Sequence, residues 1–307
     1  MAIKSLALGF LALVASAGNS DALPVLPSRI PGVAYMTNHP WGEPLNATQT
    51  ATLIKAATSG KLANYGGPVI NNVEVTLLTW GTGVNYVSSA APNNLPTFYA
   101  GVTNSAYYDM LAQYGTSSQG SIGRGTYKGT IALSGVPSGS SITDAQIQTY
   151  LKSLVTKGTI KPNKNSYYPI HFAPGITIAL SSSDSSCSTF CAYHGTIDIS
   201  SLNVGTQYLF YGVMPDQGGA CAGGCGSASS TFKNLCSVSS HELFEAVTDA
   251  AVGLAQTYGP PLAWYNNPNG EIGDLCNAQQ ATITDANGQA WTVQKQWSNS
   301  KAACASS

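Results

Sequence analysis

His241, Glu242 and Glu245 stand together in the run Ser240-His241-Glu242-Leu243-Phe244-Glu245. If that run is helical, His241 and Glu245 lie one turn apart on the same face, where an imidazole and a carboxylate can reach one metal ion. Glu242 sits about 100° around the axis from His241, placed to take a proton from water rather than to bind the metal. The spacing is that of the His-Glu-x-x-His helix of metalloproteases, with Glu245 where the second histidine would stand. A carboxylate there adds negative charge, makes the metal a weaker Lewis acid and lets calcium or manganese compete with zinc. One zinc ion is therefore the expected cofactor, with calcium as the alternative, and metal-dependent hydrolysis of a peptide is the expected chemistry.

Two further ligands are expected. Asp274 lies downstream of the helix in Glu271-Ile272-Gly273-Asp274-Leu275-Cys276, a run that offers two carboxylates. His194 lies upstream in Cys191-Ala192-Tyr193-His194-Gly195; with His241 and Glu245 it would make a His2Glu set. A lone His-Glu-x-x-Glu also arises in helices whose histidine and glutamates cover a solvated face. Two features favour the metal. Only 9% of the chain is charged, yet Glu242, Glu245, Asp249, Glu271 and Asp274 gather near this histidine in sequence, and cysteines flank the helix. Ser239 and Ser240 precede His241, but neighbours on a helix point apart, so no Ser-His pair is implied. His39 and His171 are isolated and read as structural. The Gly218-Gly219 and Gly223-Gly224 pairs do not lead into a phosphate-binding loop.

The elements that must position these residues follow from periodicity and turn signals. A helix is expected over 229–252, with Phe232, Leu235, Ser239, Leu243, Ala246 and Ala250 on a core stripe and His241, Glu245 and Thr248 opposite. Strands are expected over 72–80, 126–133, 168–180, 192–199 and 207–214. Residues 95–114 have helical spacing with a break near Thr103-Asn104, and 47–59 can form a short helix. Thr143-Asp144-Ala145-Gln146 fits a capping box opening a helix whose stripe is Leu151, Leu154 and Val155, with Gly158 as its stop. A hairpin over 282–297 turns at Asn287-Gly288. Strands and helices alternate without an internal repeat. The expectation is an α/β or α+β single domain with a central mixed sheet, a metal-site helix and a C-terminal β-hairpin.

Composition bounds the setting. Lys4, the apolar run 6–15 and Ala15-Ser16-Ala17 describe a secretory signal peptide over 1–17, too short to span a membrane. Residues 18–65 read as an extended arm with a helix, and 66–307 as the main domain. The remaining chain, roughly 290 residues, is within single-domain range. Net charge is −1 and no basic patch exists, so nucleic acid is not an expected partner. An extracellular peptide or protein substrate and a monomer are expected instead. In an exported chain, cysteines default to disulfides. There are seven: Cys187, Cys191, Cys221, Cys225, Cys236, Cys276 and Cys304. Cys236, on the core side of the helix, is the expected unpaired thiol, while the pairing of the others stays open. The two Cys-x3-Cys pairs, Cys187/Cys191 and Cys221/Cys225, leave a structural zinc site as an alternative. Asn46-Ala47-Thr48 is an N-glycosylation sequon.

Gly66-Gly67-Pro68-Val69-Ile70-Asn71-Asn72-Val73 resembles the opening of the phosphate-induced/EXORDIUM-like extracellular proteins of plants. The similarity continues at Phe190-Cys191-Ala192-Tyr193-His194, the Cys221/Cys225 pair, Ala246-Val247-Thr248-Asp249, 271–276 and 297–304. The resemblance implies a secreted or cell-wall location, and makes Cys187, Cys191, Cys221, Cys225, Cys276 and Cys304 a shared disulfide set with Cys236 as the extra one. The plant proteins lack His241-Glu242-x-x-Glu245. The chain looks closer to microbial secreted relatives that carry Ser-His-Glu-Leu-x-Glu-Ala-x-Thr-Asp and Glu-Ile-Gly-Asp-x-Cys, which look like metallohydrolases. Two functions are therefore expected: a secreted zinc metallopeptidase with Glu242 as general base, or a non-catalytic wall or matrix protein holding a structural metal or none.

Overall fold

A computed structural model describes residues 33–37, 60–256, 258–267 and 269–307. The expected signal peptide, the helix over 47–59 and the sequon at Asn46 lie outside the described residues, as does His39. Of the N-terminal arm, 33–37 and 60–65 are described, and each contributes a strand.

In chain order the strands are β1 (Val33–Thr37), β2 (Ala63–Asn64), β3 (Glu74–Thr79), β4 (Thr126–Ala132), β5 (Ser141–Thr143), β6 (Ser166–His171), β7 (Thr177–Ala179), β8 (Phe190–Asp198) and β9 (Tyr208–Met214). Six of them form the central sheet in the order β1-β8-β9-β6-β3-β4. β4, β3, β6 and β9 run parallel, while β8 and β1 add antiparallel at one edge. The fold is α+β, a single domain around a mixed sheet.

Buried parallel strands read as continuous apolar runs; β9 does, and β6 and β9 are both buried at almost every residue. Their side chains alternate between two cores. Tyr167, Phe210 and Met214 enter one core, whereas Tyr168, Ile170, Leu209, Tyr211 and Val213 enter the other. The expected strand over 168–180 is broken into β6 and β7, because Pro174-Gly175, with Gly175 at φ +82°, turns the chain between them.

Helix α1 (Leu95–Val102) and helix α2 (Ala106–Asp109) flank the expected break, where Ser105 caps the second by accepting from Tyr108 N. Helix α3 (Asp144–Thr156) opens on the capping box of Thr143 and Gln146. It closes as expected at Gly158 (φ +70°): Thr159 N donates to Leu154 O at 2.9 Å and Gly158 N to Val155 O at 2.9 Å, the paired bonds of a Schellman motif. Its Ile147, Leu151, Leu154 and Val155 cover the second core.

Helix α4 (Thr231–Thr248) covers the first core on the other face. It is shorter than the expected 229–252. Asp249 leaves the helical conformation, and its Oδ1 accepts from Ala263 N at 2.6 Å. The chain continues through β10 (Trp264–Tyr265), β11 (Gln280–Thr284), β12 (Ala290–Gln294), β13 (Gln296–Ser298) and β14 (Ala303–Ala305). The expected hairpin is β11 and β12 with Gly288 at φ +82° in its turn. Trp297 belongs instead to a second pairing, β13 with β14.

Three disulfides join Cys187 to Cys221, Cys191 to Cys225 and Cys276 to Cys304. The two Cys-x3-Cys pairs thus cross-link to each other, which removes the structural-zinc alternative for them. Cys236 is free and buried. Among the described residues, no helix is long and apolar enough to cross a membrane.

Candidate metal centre

Helix α4 differs from an amphipathic surface helix. Its residues from Asn234 to Thr248 are all buried, polar ones included, so His241, Glu242 and Glu245 do not cover a solvated face. The sheet lies against one side of the helix and β12 against another. β12 is tied on by a bond from Gln294 N to Ser240 Oγ at 3.0 Å, while Ser240 Oγ itself donates to Ser237 O at 2.7 Å. Ser240 therefore anchors the strand beside His241 and has no contact of the nucleophile type.

β8 supplies His194. Tyr193 and Ile197 point into the α3 core. The opposite parity carries Ala192, His194 and Thr196 toward α4, with Thr196 Oγ1 donating to Ala250 O. His194 stands across from Gly212 on β9. A Cβ on Gly212 would lie 2.1 Å from Tyr167 Oη, so the glycine makes room for that hydroxyl.

Asp274 comes from a 3-10 turn, Asp274–Cys276, held on several sides. Asp274 N donates to Glu245 Oε1 at 3.0 Å, Glu271 N donates to Asp274 Oδ2 at 3.0 Å, and Trp297 N donates to Ile272 O at 3.0 Å. The Cys276–Cys304 disulfide anchors the end of the turn. Gly273 permits the approach: a Cβ there would lie 2.6 Å from His241 Nδ1 and 2.8 Å from Glu245 Oε1.

All five site residues expected from sequence meet in one place. His241 Nε2 lies 3.0 Å from Glu245 Oε1 and 3.9 Å from Asp274 Oδ1. His194 Nδ1 lies 3.2 Å from Glu242 Oε2 and 3.7 Å from Glu245 Oε2. Their donor atoms fall into two groups of mutually close ligands, His241 with Glu245 and Asp274, and His194 with Glu242 and Glu245. Glu242 thus faces His194, and Asp249, expected nearby, is instead engaged at the helix terminus.

The four residues from α4 and β8 are at most 1% exposed. Of the five, the Asp274 side chain, at 22%, is the one partly exposed to solvent. His194 Nε2, Glu242 Oε1 and Glu245 Oε2 have no hydrogen-bond partner. Buried polar atoms are normally satisfied, and three unsatisfied ones at a single spot, with N and O donors, fit a divalent cation.

The electrostatics agree. Burial works against a charged His241, but the Glu245, Glu242 and Asp274 carboxylates together outweigh it and push the imidazole up to about 10. Burial also raises Glu245, yet the His241 charge and hydrogen bond hold it below the usual carboxylate range. Glu242 goes the other way: burial, less fully offset, raises it. Two carboxylates three residues apart are thus driven in opposite directions, the pattern of acid–base sites.

Gln294 and Tyr167 were not expected in the site, whereas Glu271 comes from the carboxylate run already noted. Gln294 Nε2 lies 2.7 Å from His241 Nδ1 and donates to Gly273 O at 2.9 Å. Glu271 Oε1 lies 3.5 Å from His194 Nε2. Tyr167 is buried, and its hydroxyl is held well above its ordinary range by burial and by the negative groups around it, Glu242 and Glu245 among them. Strand parity toward α4 is the sequence signal that could have pointed to Tyr167; Gln294 has none, being one glutamine among several. His171 is buried, and its Nε2 pairs with Tyr99 Oη at 2.9 Å, a structural role as expected. A scan against protein-family models and searches of curated proteins and of solved structures find no match.

Proposed function

We propose that the protein is a secreted metal-dependent hydrolase, with zinc as the metal and a peptide as the substrate class. The observation that supports this most is the convergence of His241, Glu245 and Asp274 within ligand distance beside a third carboxylate, Glu242, whose Oε1 has no hydrogen-bond partner. His241, Glu245 and Asp274 would hold the ion, with His194 beside them. A bound zinc supplies Lewis acidity, which acidifies water to near neutrality and polarises a carbonyl. Glu242 is the general base: Oε2 is steadied by His194 at 3.2 Å, and Oε1 accepts the proton. Tyr167, kept protonated, is a neutral donor in the same site. Three disulfides accord with an oxidising extracellular location.

The test combines metal analysis with Glu242→Gln. Stoichiometric zinc is expected in the wild type, with peptide-hydrolysing activity that falls about 10²–10⁴-fold in the variant while the zinc at His241 stays. Full activity in Glu242→Gln removes this mechanism.

One observation favours a second reading, a non-catalytic wall or matrix protein with a structural metal: His194, His241, Glu242 and Glu245 are almost wholly buried, and structural sites are closed whereas catalytic ones keep an open position. A tightly held ion with no turnover on any peptide library would establish that reading.

A further inference from the structure

Resting on the metal-site reading above, we infer that the cluster holds two divalent ions that share the Glu245 carboxylate. Glu245 turns its two oxygens to different imidazoles. Oε1 faces His241 Nε2 at 3.0 Å and Oε2 faces His194 Nδ1 at 3.7 Å. A carboxylate that chelated one ion would turn both oxygens the same way. The two groups of donors have the same composition, one imidazole and two carboxylates, and only Glu245 belongs to both. This is the donor chemistry of paired sites in hydrolases, where bridged ions lie about 3.5–4 Å apart.

A single ion in the His241 group leaves the other half of the cluster unexplained. His194 and Glu242 are both wholly buried, and the basic side chains that face Glu242 and Glu245 among the described residues are the two imidazoles. Glu245 Oε2 and Glu242 Oε1 have no hydrogen-bond partner. An ion in the His194 group takes up Glu245 Oε2 and Glu242 Oε2. It leaves Glu242 Oε1 as the proton acceptor, so the base assigned above is kept. His194 then binds through Nδ1, and its Nε2, which faces Glu271 Oε1 at 3.5 Å, carries the proton. A carboxylate behind the distal ring nitrogen fixes that tautomer and raises the ligand's basicity.

The experiment uses the full secreted chain, stripped with chelator and titrated with zinc alone or manganese alone. Ions are counted by native mass spectrometry, and the manganese form is examined by electron paramagnetic resonance. Two zinc ions per chain and an exchange-coupled manganese pair are expected. His194→Ala should keep one ion and lose the coupled signal, as should His241→Ala. One ion per chain in the wild type overturns the shared-carboxylate inference and leaves the hydrolase reading standing. No ion overturns both. Two manganese ions with uncoupled spectra also overturn the inference, because they would sit apart. If either alanine variant fails to fold, the wild-type count and spectrum still decide.

Discussion

Gln294 Nε2 lies 2.7 Å from His241 Nδ1, although the two residues belong to a hairpin strand and a helix 53 positions apart. The amide holds the far nitrogen of the ring, so that Nε2 is turned to Glu245. A ring that binds metal through Nε2 carries its proton on Nδ1, so in the metal-bound protein the Gln294 amide would turn its Oε1 to that proton; acceptors of this kind behind metal-ligating histidines are commonly worth about 10–100-fold in metal affinity. Gln294→Leu is therefore expected to weaken zinc binding by about that factor in competition with a chromophoric chelator, with the circular dichroism spectrum kept. Unchanged affinity would show that ring orientation is set by packing alone.

Gly273 has helical backbone angles, φ −81° and ψ −38°, which any residue adopts. Its requirement for glycine is steric, since a Cβ would lie 2.6 Å from His241 Nδ1, 2.7 Å from His241 Cε1 and 2.8 Å from Glu245 Oε1. Gly273→Ala should cost about 1–3 kcal/mol of stability through overpacking. It should also lower metal affinity and stability more than a comparable alanine at Gly223, which has open space around it and no positive φ. Equal effects at the two positions would contradict the close approach.

The parts of this site that were legible are those written in local pattern. His241, Glu242 and Glu245 share one helix, and spacing alone relates them. Asp274 and His194 were reachable because charged residues and histidines are scarce in this chain, so each one carries information. The division into two donor groups was not legible. It depends on how far β8 and the Asp274–Cys276 turn stand from the helix, a tertiary distance with no sequence signature. The burial of α4 on all sides was missed for a related reason. Periodicity marks an apolar stripe, but a polar face covered by β12 and by the sheet looks the same as one facing water. Gln294 and Gly273 act through contacts across the fold, and neither type is diagnostic of a metal site.

Cys276–Cys304 anchors the end of the turn that carries Asp274, at a sequence separation of 28. Removing a cross-link of this span costs roughly 3–4 kcal/mol by chain entropy. The double variant Cys276→Ala/Cys304→Ala should lose about that much stability and should also bind zinc more weakly, because the 3-10 turn is no longer anchored. Cys187→Ala/Cys221→Ala, which opens a link of separation 34 far along the chain from the turn, should show a similar loss in denaturant midpoint with zinc affinity kept. If both pairs lower affinity equally, the loss is global and the turn has no special part.

His171 gives a pH dependence that does not involve the metal ligands. It is wholly buried, and burial holds its imidazole down to about 3; Tyr99 Oη, held protonated chiefly by burial, pairs with Nε2 at 2.9 Å. In the unfolded chain the same group titrates near about 6.5. Between these values the unfolded state binds the extra proton, so stability falls as pH falls. The contribution is fully present above about 6.5 and is lost progressively down to about 3, by up to about 1.4 kcal/mol per pH unit. Carboxylates add their own acid sensitivity, so the informative quantity is a difference between proteins. His171→Gln keeps an acceptor for Tyr99 and cannot take up the proton. Its stability, measured by urea unfolding from pH 7 to pH 4, should decline less steeply than that of the wild type by up to one proton's worth of slope. Parallel curves would show that the His171 imidazole is protonated inside the fold or reaches water there, against its burial beneath Tyr99.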